Sequence, residues 1–551
     1  MATEKPVNKK HNFAAFGIAA ATCLLMWLAL PPMKFSWLGW IALTPLSWLI
    51  IETEPRTKLL RQVWLAHFIG WMVTLHFVRL PFWGLWFGWA LLSFYLALYG
   101  PLFVASARTL VHRFRIPAVV AIPISFTGCE WIRVNFLTGF GLGCLSHSQY
   151  ETIATLPLAA LFGAYGITFA MAMVAATLGV ATLPIKSESS KNESDQRTTP
   201  LKRIAYGLLT GMLMLGVLGY GTWQLEKNRD AIRNAAPPEY LDAAVIQPSI
   251  DTLLKPMTQE EVEAHFVDRC RQTHAARESA ERGLDVIIWP ESSFQYADYL
   301  SDHPAGKLSD LKGLQFLAWR MAMGTPDPFP DAVPMIVGTS TQDPQSEKAW
   351  NSAVLFDTYG NPESRYYKNH LVMFGEYFPL VNSIPGFSSI FRGFSSWDAG
   401  TESVRFEVDD VSMAPTICFE TTVPRLIRRQ LNTLESEGEQ IDVLVNVTND
   451  GWFFGTSCLD LHLACNVMRA AEMRRPMLVS ANTGLSAQID EMGRLIQVGE
   501  RRQAGHLICA VRVPQPEITL YRRWGNWFAI ACGLLVCIAL VLGRFMNRPN
   551  R

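Results

Sequence analysis

The sequence predicts a polytopic bundle of about eight transmembrane helices carrying one α/β extramembrane domain. Three observations lead there. Half of the 551 residues are hydrophobic and only 17% are charged, with 18 Trp and 31 Phe, a composition unusual for a wholly soluble protein. Long apolar segments crowd the first 223 residues and recur once near the C-terminal end. Between them, from 240 to 512, short buried-strand runs alternate with polar stretches of helical period.

Residues 1–12 are polar and basic, with Lys5, Lys9 and Lys10. From Phe13 to about Met33 the chain is apolar. More apolar segments follow at once, so this one reads as a first span and not as a removed signal peptide. Further spans are expected near 36–52, 62–78, 82–107, 117–134, 153–185 and 204–223, and a last one from Trp524 to Leu542. Each approaches the roughly 20 residues a bilayer needs. Basic residues cluster in alternate connections: Arg56, Lys58 and Arg61; Arg108, Arg113 and Arg115; Lys186, Lys191, Arg197, Lys202 and Arg203; and Arg544, Arg548 and Arg551 in the tail. The positive-inside rule then sets both termini in the cytoplasm. The expected division is a membrane domain over 1–223 with about seven spans, a periplasmic domain over 224–523, and a C-terminal span and tail over 524–551. The 186–200 loop is a polar linker. Glu130 and Arg133, three apart, are expected to pair on one helix face. The Gly- and aromatic-rich stretch from 130 to 144 reads equally as a re-entrant loop at a lipid entrance or as an interfacial aromatic belt.

Within the α/β block, buried strands are expected at Leu241–Ile246, Val286–Trp289, Met335–Gly338, Ser352–Phe356, Val411–Ile417, Val443–Val447 and Met477–Ser480. Helices are expected over 258–282 and 459–474, both rich in Ala, Glu and Arg. The pattern implies a mixed sheet under helices.

Several function classes lose support at this level. The net charge is zero and no basic stripe interleaves with aromatics, so no nucleic-acid partner is expected. The ten cysteines are scattered, with no CxxC and no paired spacing. Cys458, His462 and Cys465 share one helix face but lack an evident fourth ligand, so packing is expected there and no metal. No GxGxxG and no P-loop lysine motif occur, and no cofactor is expected.

Three stretches carry chemistry. Cys418 ends the apolar run Val411–Ile417, where a strand fixes a nucleophile and the following loop leaves it accessible. A lone strand-end cysteine is more often a core residue. Leu284-Asp-Val-Ile-Ile-Trp-Pro-Glu291 places a carboxylate at the end of another strand, and Arg365-Tyr-Tyr-Lys368-Asn-His-Leu-Val-Met-Phe-Gly-Glu376 supplies a lysine and a second carboxylate. A nearby Lys368 would lower the thiol pKa and stabilise an oxyanion, while Glu291 would shuttle the proton. Singly, Glu291 reads as a surface carboxylate and Lys368 as a solvated loop lysine. Together the three are a set of parts for acyl transfer through a thiol.

The order Trp-Pro-Glu291, Lys368 to Glu376, Ile-Cys418-Phe-Glu420 resembles the nitrilase, or carbon–nitrogen hydrolase, superfamily. Together with the spans, the chain resembles its membrane-embedded members, the bacterial apolipoprotein N-acyltransferase family. Asn449-Asp-Gly-Trp-Phe453, Met468-Arg-Ala-Ala-Glu472, Arg475-Pro476, Asn482-Thr-Gly484 and Leu520-Tyr-Arg-Arg-Trp-Gly-Asn-Trp527 fit as well. The resemblance implies a nitrilase-like αββα sandwich and a Glu291–Lys368–Cys418 triad supported by Glu376, Phe419 and Glu420. It implies acyl transfer from the sn-1 position of a phospholipid, phosphatidylethanolamine by expectation, through a Cys418 thioester to the α-amine of a diacylglyceryl-cysteine apolipoprotein. A monomer in the inner membrane is expected. Four positions depart from the family pattern: Phe419 stands where a tyrosine is usual, Met373 where a proline is usual, Lys255-Pro256 where Lys-Trp is usual, and Phe454 is an extra residue before Gly455. Two other readings remain at this stage: a membrane-tethered amidase or nitrilase acting on a small soluble substrate, and a transporter or sensor needing no nucleophile.

Overall fold

The protein, seen in a computed structural model, is described over residues 14–51, 57–81, 83–184, 199–234, 240–252, 257–294, 333–343, 348–358, 360–373, 375–377, 397–436, 438, 440–513 and 517–545. It divides into two compact units, one built from Met1–Gln224 and Asn526–Arg551, the other from Leu225–Gly525.

The first unit is helical: α1 (Ala14–Ala29), α2 (Thr44–Ile51), α3 (Thr57–Thr74), α4 (Leu85–Ala97), α5 (Tyr99–His112), α6 (Ala118–Asn135), α7 (Ala164–Thr182), most of α8 (Pro200–Asn234) and the C-terminal helix Trp527–Phe545. Among the described residues, four helices are long and apolar enough to cross a membrane: Leu85–His112, Ala164–Thr182, Pro200–Arg233 and Trp527–Phe545. Of the eight spans expected, these helices support part, and Ala14–Ala29 and Ser36–Ile51 are shorter apolar segments. The 13–33 segment forms only the 16 residues of α1, and 36–52 is broken by a 3-10 turn, Ser36–Trp40, ahead of the 8-residue α2. The 62–78 segment falls on α3, which opens with Lys58 and Arg61, and 117–134 falls on α6, which contains Pro123, Glu130 and Arg133. Apolar runs overstate span length where turns and charges interrupt them.

Glu130 and Arg133 do pair, at 3.7 Å, and both are buried. Each is also committed elsewhere. Arg133 donates to the carbonyls of Phe140 at 3.1 Å and Leu142 at 2.9 Å, and stacks over Trp71. Glu130 accepts from the Leu145 N–H at 2.8 Å and the Thr168 hydroxyl at 2.7 Å. The pair therefore braces the 136–145 loop. Nearby, a Cβ on Gly128 would lie 2.8 Å from the Cys532 carbonyl, so glycine lets α6 and the C-terminal helix meet backbone to backbone.

The second unit holds two six-stranded sheets, as the αββα sandwich implied by the resemblance requires, where the apolar pattern alone suggested one. The strands are β1 (Tyr240–Gln247), β2 (Val286–Phe294), β3 (Met335–Gln342), β4 (Ala349–Phe356), β5 (Pro362–Tyr367), β6 (Phe406–Val408), β7 (Val411–Ile417), β8 (Val443–Thr448), β9 (Met477–Ala481), β10 (Ala487–Ile489), β11 (Leu495–Val498) and β12 (Gly505–Arg512). Their orders are β12-β1-β2-β3-β4-β5 and β11-β10-β9-β8-β7-β6. In each sheet three central strands run parallel, β1-β2-β3 and β7-β8-β9, and the flanking strands are antiparallel. Alternate residues face opposite ways, and both ways are dry. Leu241, Ala243, Val245, Val286 and Ile288 join Met413, Val443, Val445 and Leu478 in the core between the sheets. Ala244, Ile246, Ile287 and Trp289 turn outward against Phe266 and Cys270 of α9 (Gln259–Ser279). Burial on both faces is why these strands read as unbroken apolar runs. The second sheet is covered by α10 (Pro424–Ser436) and α11 (Cys458–Met473), the latter buried along its whole length. The Ser480 hydroxyl crosses the core to the carbonyls of Ile246 and Ile288, each at 3.1 Å, and so pins β9 to the other sheet.

One close approach fixes a carboxylate. A Cβ on Gly338 of β3 would lie 2.5 Å from both Glu291 Cα and the Pro290 carbonyl oxygen, which are backbone atoms that cannot swing aside. Gly338→Ala is expected to cost about 1–3 kcal/mol through overpacking. Denaturant unfolding of the detergent-solubilised protein measures it; a wild-type midpoint would show that β2 yields freely.

Candidate active site

Glu291, Lys368 and Cys418 arrive from three strands at one place. β2 pairs regularly with β3 as far as Trp289, and the register then shifts before Phe294. Pro290, with no N–H to give to a ladder, falls in that break, and Ser292 takes φ 57°. The break turns Glu291 inward, where it is 7% exposed. Lys368 follows directly on β5. Its N–H donates to the Asn351 carbonyl at 2.9 Å, and its own carbonyl accepts from Gly400 at 2.9 Å. Cys418 follows directly on β7 and opens a 3-10 turn, Cys418–Thr422, with φ 51°. Since β5 runs antiparallel to β4, and β4 to β3, β5 points the same way as β2; Lys368 and Cys418 follow the carboxyl ends of their strands, and Glu291 lies at the break late in β2.

The Lys368 side chain is 1% exposed and lies between two carboxylates, with Nζ 2.7 Å from Glu376 Oε1 and 3.5 Å from Glu291 Oε1. Asn351 ties the carboxylates together, its Nδ2 donating to Glu291 Oε1 at 2.6 Å and to Glu376 Oε1 at 3.1 Å. The Asn449 N–H fills Glu291 Oε2 at 2.7 Å, and the Val372 N–H fills Glu376 Oε2 at 2.8 Å. Burial disfavours the Lys368 ammonium, but Glu376, Glu291 and Cys418 outweigh it and hold the lysine well above its usual range. It is a fixed cation.

For the Cys418 thiol the balance goes the other way. Burial, and then the nearby Glu291, push it well above the usual cysteine range, although Lys368 pulls it down. The lysine thus acts in the direction expected from sequence without overcoming the rest. The thiol therefore rests protonated, and it could act as a nucleophile only by giving that proton up. A cation fixed beside the sulfur and a carboxylate within the same cluster suit that step.

The other expected site residues divide. Glu376 belongs to the cluster. Glu420 is fully buried and does not touch Lys368; it accepts from the N–H groups of Ile417 at 2.8 Å, Asn369 at 2.7 Å and His370 at 3.0 Å, and from the Tyr366 hydroxyl at 2.9 Å. It therefore staples the end of β5 to the end of β7, bringing lysine and cysteine together. Phe419 is half-buried, and its carbonyl accepts from the Thr422 hydroxyl at 2.8 Å. Of the other departures, Met373 forms an isolated bridge with Tyr377, and the extra Phe454 is absorbed by two consecutive left-handed residues, Phe454 at φ 46° and Gly455 at φ 75°. Lys255 and Pro256 lie outside the described residues.

Two participants had no sequence signal. Asn351 is a single polar residue at the head of a buried strand. His462 reads from sequence as a packing residue of its helix, yet its Nε2 lies 2.8 Å from the Cys418 carbonyl oxygen and its Nδ1 3.1 Å from Asp450 Oδ1. Cys458 and Cys465, its companions on that helix face, are buried thiols. Among the described residues no group of three or more His, Cys, Asp or Glu is placed to hold a metal ion.

The family model of the carbon–nitrogen hydrolases matches residues 242–523. The chain belongs to that family. Residues 22–177 match a second model, the apolipoprotein N-acyltransferase N-terminal domain, and the pair places the chain among the apolipoprotein N-acyltransferases of the superfamily. Similar proteins carry that name along their whole length. One from Geobacter metallireducens is 29% identical, covering 96% of this chain and 95% of its own. One from Rhodopirellula baltica is 28% identical over 94% and 96%, and one from Brucella melitensis 26% identical over 95% and 94%.

Burial dominates Glu420 and raises its carboxyl from 4.5 to about 7, against the donors that favour its charge. A pKa raised by folding means stability that is complete below about pH 4.5 and is lost as pH rises through about 7. Wild type should therefore lose on the order of 3 kcal/mol from this group across that window. Glu420→Gln should show no such loss. Unfolding free energies measured on both sides of the window test this, and parallel pH profiles for the two proteins would refute it.

Proposed function

We propose that the protein transfers an acyl chain from the sn-1 position of a phospholipid to the α-amine of the diacylglyceryl-cysteine at the start of an apolipoprotein, by way of a Cys418 thioester. Support for the acyltransferase class comes from membership of the apolipoprotein N-acyltransferases over both matched regions. Support for the chemistry comes from one observation: a buried Lys368 ammonium clamped between Glu291 and Glu376 beside the Cys418 thiol.

In the first half-reaction the Cys418 sulfur attacks the ester carbonyl while Glu291 takes the thiol proton. Lys368 has three N–H bonds; two point at carboxylates, and the third faces the developing oxyanion. The C–O bond then breaks, the leaving alkoxide takes the proton from Glu291, and a lysophospholipid departs. In the second half the amine attacks the thioester and Glu291 receives its proton. The C–S bond breaks, sulfur regains the proton, and the N-acylated lipoprotein is released. Glu376 holds Lys368 in place, and Glu420 holds the turn bearing Cys418.

In this reading, residues 1–223 are the membrane domain, 224–523 the catalytic domain on the periplasmic face of the inner membrane, and 524–551 a returning span and cytoplasmic tail. The basic connections support that orientation, and α4–α5, α7, α8 and the C-terminal helix supply spans. Both substrates are lipid-anchored, so neither need leave the bilayer surface. Phosphatidylethanolamine is the proposed donor, and the working form a monomer.

Intact mass of the purified protein, before and after phosphatidylethanolamine and then a diacylglyceryl-cysteine peptide, tests the cycle. An acyl adduct on Cys418 should appear and then vanish as the peptide gains one chain. An adduct lost to water regardless of peptide would make the protein a tethered hydrolase instead. Cys418→Ala should form no adduct, and Lys368→Ala should form it ~10²–10³-fold more slowly, the usual effect of losing an oxyanion donor.

A further inference from the structure

The turn that carries Cys418 is gripped from behind by α11. His462 Nε2 lies 2.8 Å from the Cys418 carbonyl oxygen, and Nδ1 lies 3.1 Å from Asp450 Oδ1 and 3.4 Å from Oδ2. Both ring nitrogens thus face acceptors. An imidazole with one N–H can satisfy only one of them, so the contacts require two protons shared between the ring and Asp450. His462 and Asp450 are themselves buried, at 4% and 3% exposed, so water does not stand in for a missing donor.

What the ring holds matters. The peptide after Cys418 is planar and trans, so its C=O and the Phe419 N–H point in opposite directions, and anchoring one aims the other. Cys418 sits at φ 51°, a conformation a non-glycine residue keeps only when neighbours impose it. Glu420 holds the near side through the Ile417 N–H, and His462 holds the far side through the carbonyl.

We propose that His462, oriented by Asp450, is a positioning residue for acyl transfer: by donating from Nε2 to the Cys418 carbonyl it keeps the nucleophile in its left-handed turn, and loss of the imidazolium proton as pH rises releases that hold. This rests on Cys418 being the nucleophile. The direction of titration agrees. Burial disfavours the imidazolium, but Asp450 and the Cys418 carbonyl, with a contribution from Glu291, raise His462 above its ordinary range. The hold is complete below that ordinary range and lost as pH rises through the raised value.

The titratable groups that act on the ring are Asp450 from the turn after β8 and Glu291 from β2. Of the others on elements packed against α11, Glu420 in the Cys418 turn is taken up by Tyr366 and Asn369, Arg522 by Asn432 and Glu435, and Tyr521, beside Arg522 and Arg523, is buried near Glu472 and Arg469. β9 and β10, which also pack on α11, carry no titratable side chain. Glu435 and Arg428 of α10 are engaged with Arg475 and Arg522 and with the carbonyls of Arg522 and Arg523. Arg469 and Glu472, further along α11, pair with each other at 2.9 Å.

The test is the rate of Cys418 acyl-adduct formation, read by intact mass on the full-length protein in mixed micelles of phosphatidylethanolamine, across about pH 6 to 9 where a histidine titrates. His462→Ala should slow adduct formation about 10²-fold at neutral pH, the scale of a misplaced reacting group, with the KM for phospholipid unchanged. His462→Gln, whose amide keeps a donor, should recover part of that rate and lose the alkaline decline of wild type. Asp450→Asn should move the decline to lower pH, and it decides the matter if His462→Ala does not fold. A wild-type rate and pH profile in His462→Gln would overturn the proposal. So would a slow His462→Ala with an unchanged profile and no recovery in His462→Gln, which would mark the histidine as packing alone. Wild type forming no adduct at all would instead sink the thioester reading beneath it.

Discussion

A single buried ammonium organises the catalytic unit. Lys368 has almost no contact with solvent, and a charge so placed survives only if opposite charge and hydrogen bonds surround it. Glu376 and Glu291 supply the charge, and Asn351, Asn449 and the Val372 N–H fill the carboxylate lone pairs that Lys368 leaves. The arrangement is costly on its own terms, since two carboxylates share one cation in a dry place. The cost is met by the fold, which sets Lys368 and Glu291 on different strands and ties Glu376 back through the Val372 N–H. The arrangement also bears on the thiol: burial first, and then the Glu291 charge, push Cys418 well above the usual cysteine range, with Lys368 opposing both.

The two-sheet sandwich is what makes such a cluster possible. Glu291 comes from one sheet and Cys418 from the other, and the Ser480 hydroxyl spans the core between β9 and the backbone of β1 and β2. Glu420 does similar work at the rim, with β5 on one side and β7 on the other. Positions that far apart in the chain meet because the parallel strands of both sheets end at one edge, the usual place for a site in open α/β folds.

That organisation explains what could be read from the sequence and what could not. The strands found as apolar runs, such as Val411–Ile417, are interior strands buried on both faces. Four of the five missed, β5, β6, β11 and β12, are the outermost strands of the two sheets, and β10 has only 3 residues. Edge strands carry polar and charged side chains, as in Pro362-Glu-Ser-Arg-Tyr-Tyr367, so their pattern resembles a loop. Apolar runs alone do not say which strands share a sheet, so the two layers came from the resemblance and not from the pattern. Glu291 and Cys418 were legible because each follows an apolar run, and Lys368 because the order of the three stretches resembles the family's. Asn351 and His462 were not, since their roles depend on the strand or helix face they share and on no local pattern. In the membrane unit hydropathy found the segments but not their breaks, the 3-10 turn at Ser36–Trp40 and the charges in α3 and α6.

The left-handed backbone at Cys418 has a consequence for how this position can drift. A cysteine there holds a conformation that costs a residue with a Cβ roughly 1–2 kcal/mol, and glycine would hold it without strain. Glycine has no thiol. At Cys418, relaxing the backbone and keeping the proposed nucleophile are opposed: a glycine would ease the turn and remove the sulfur with it.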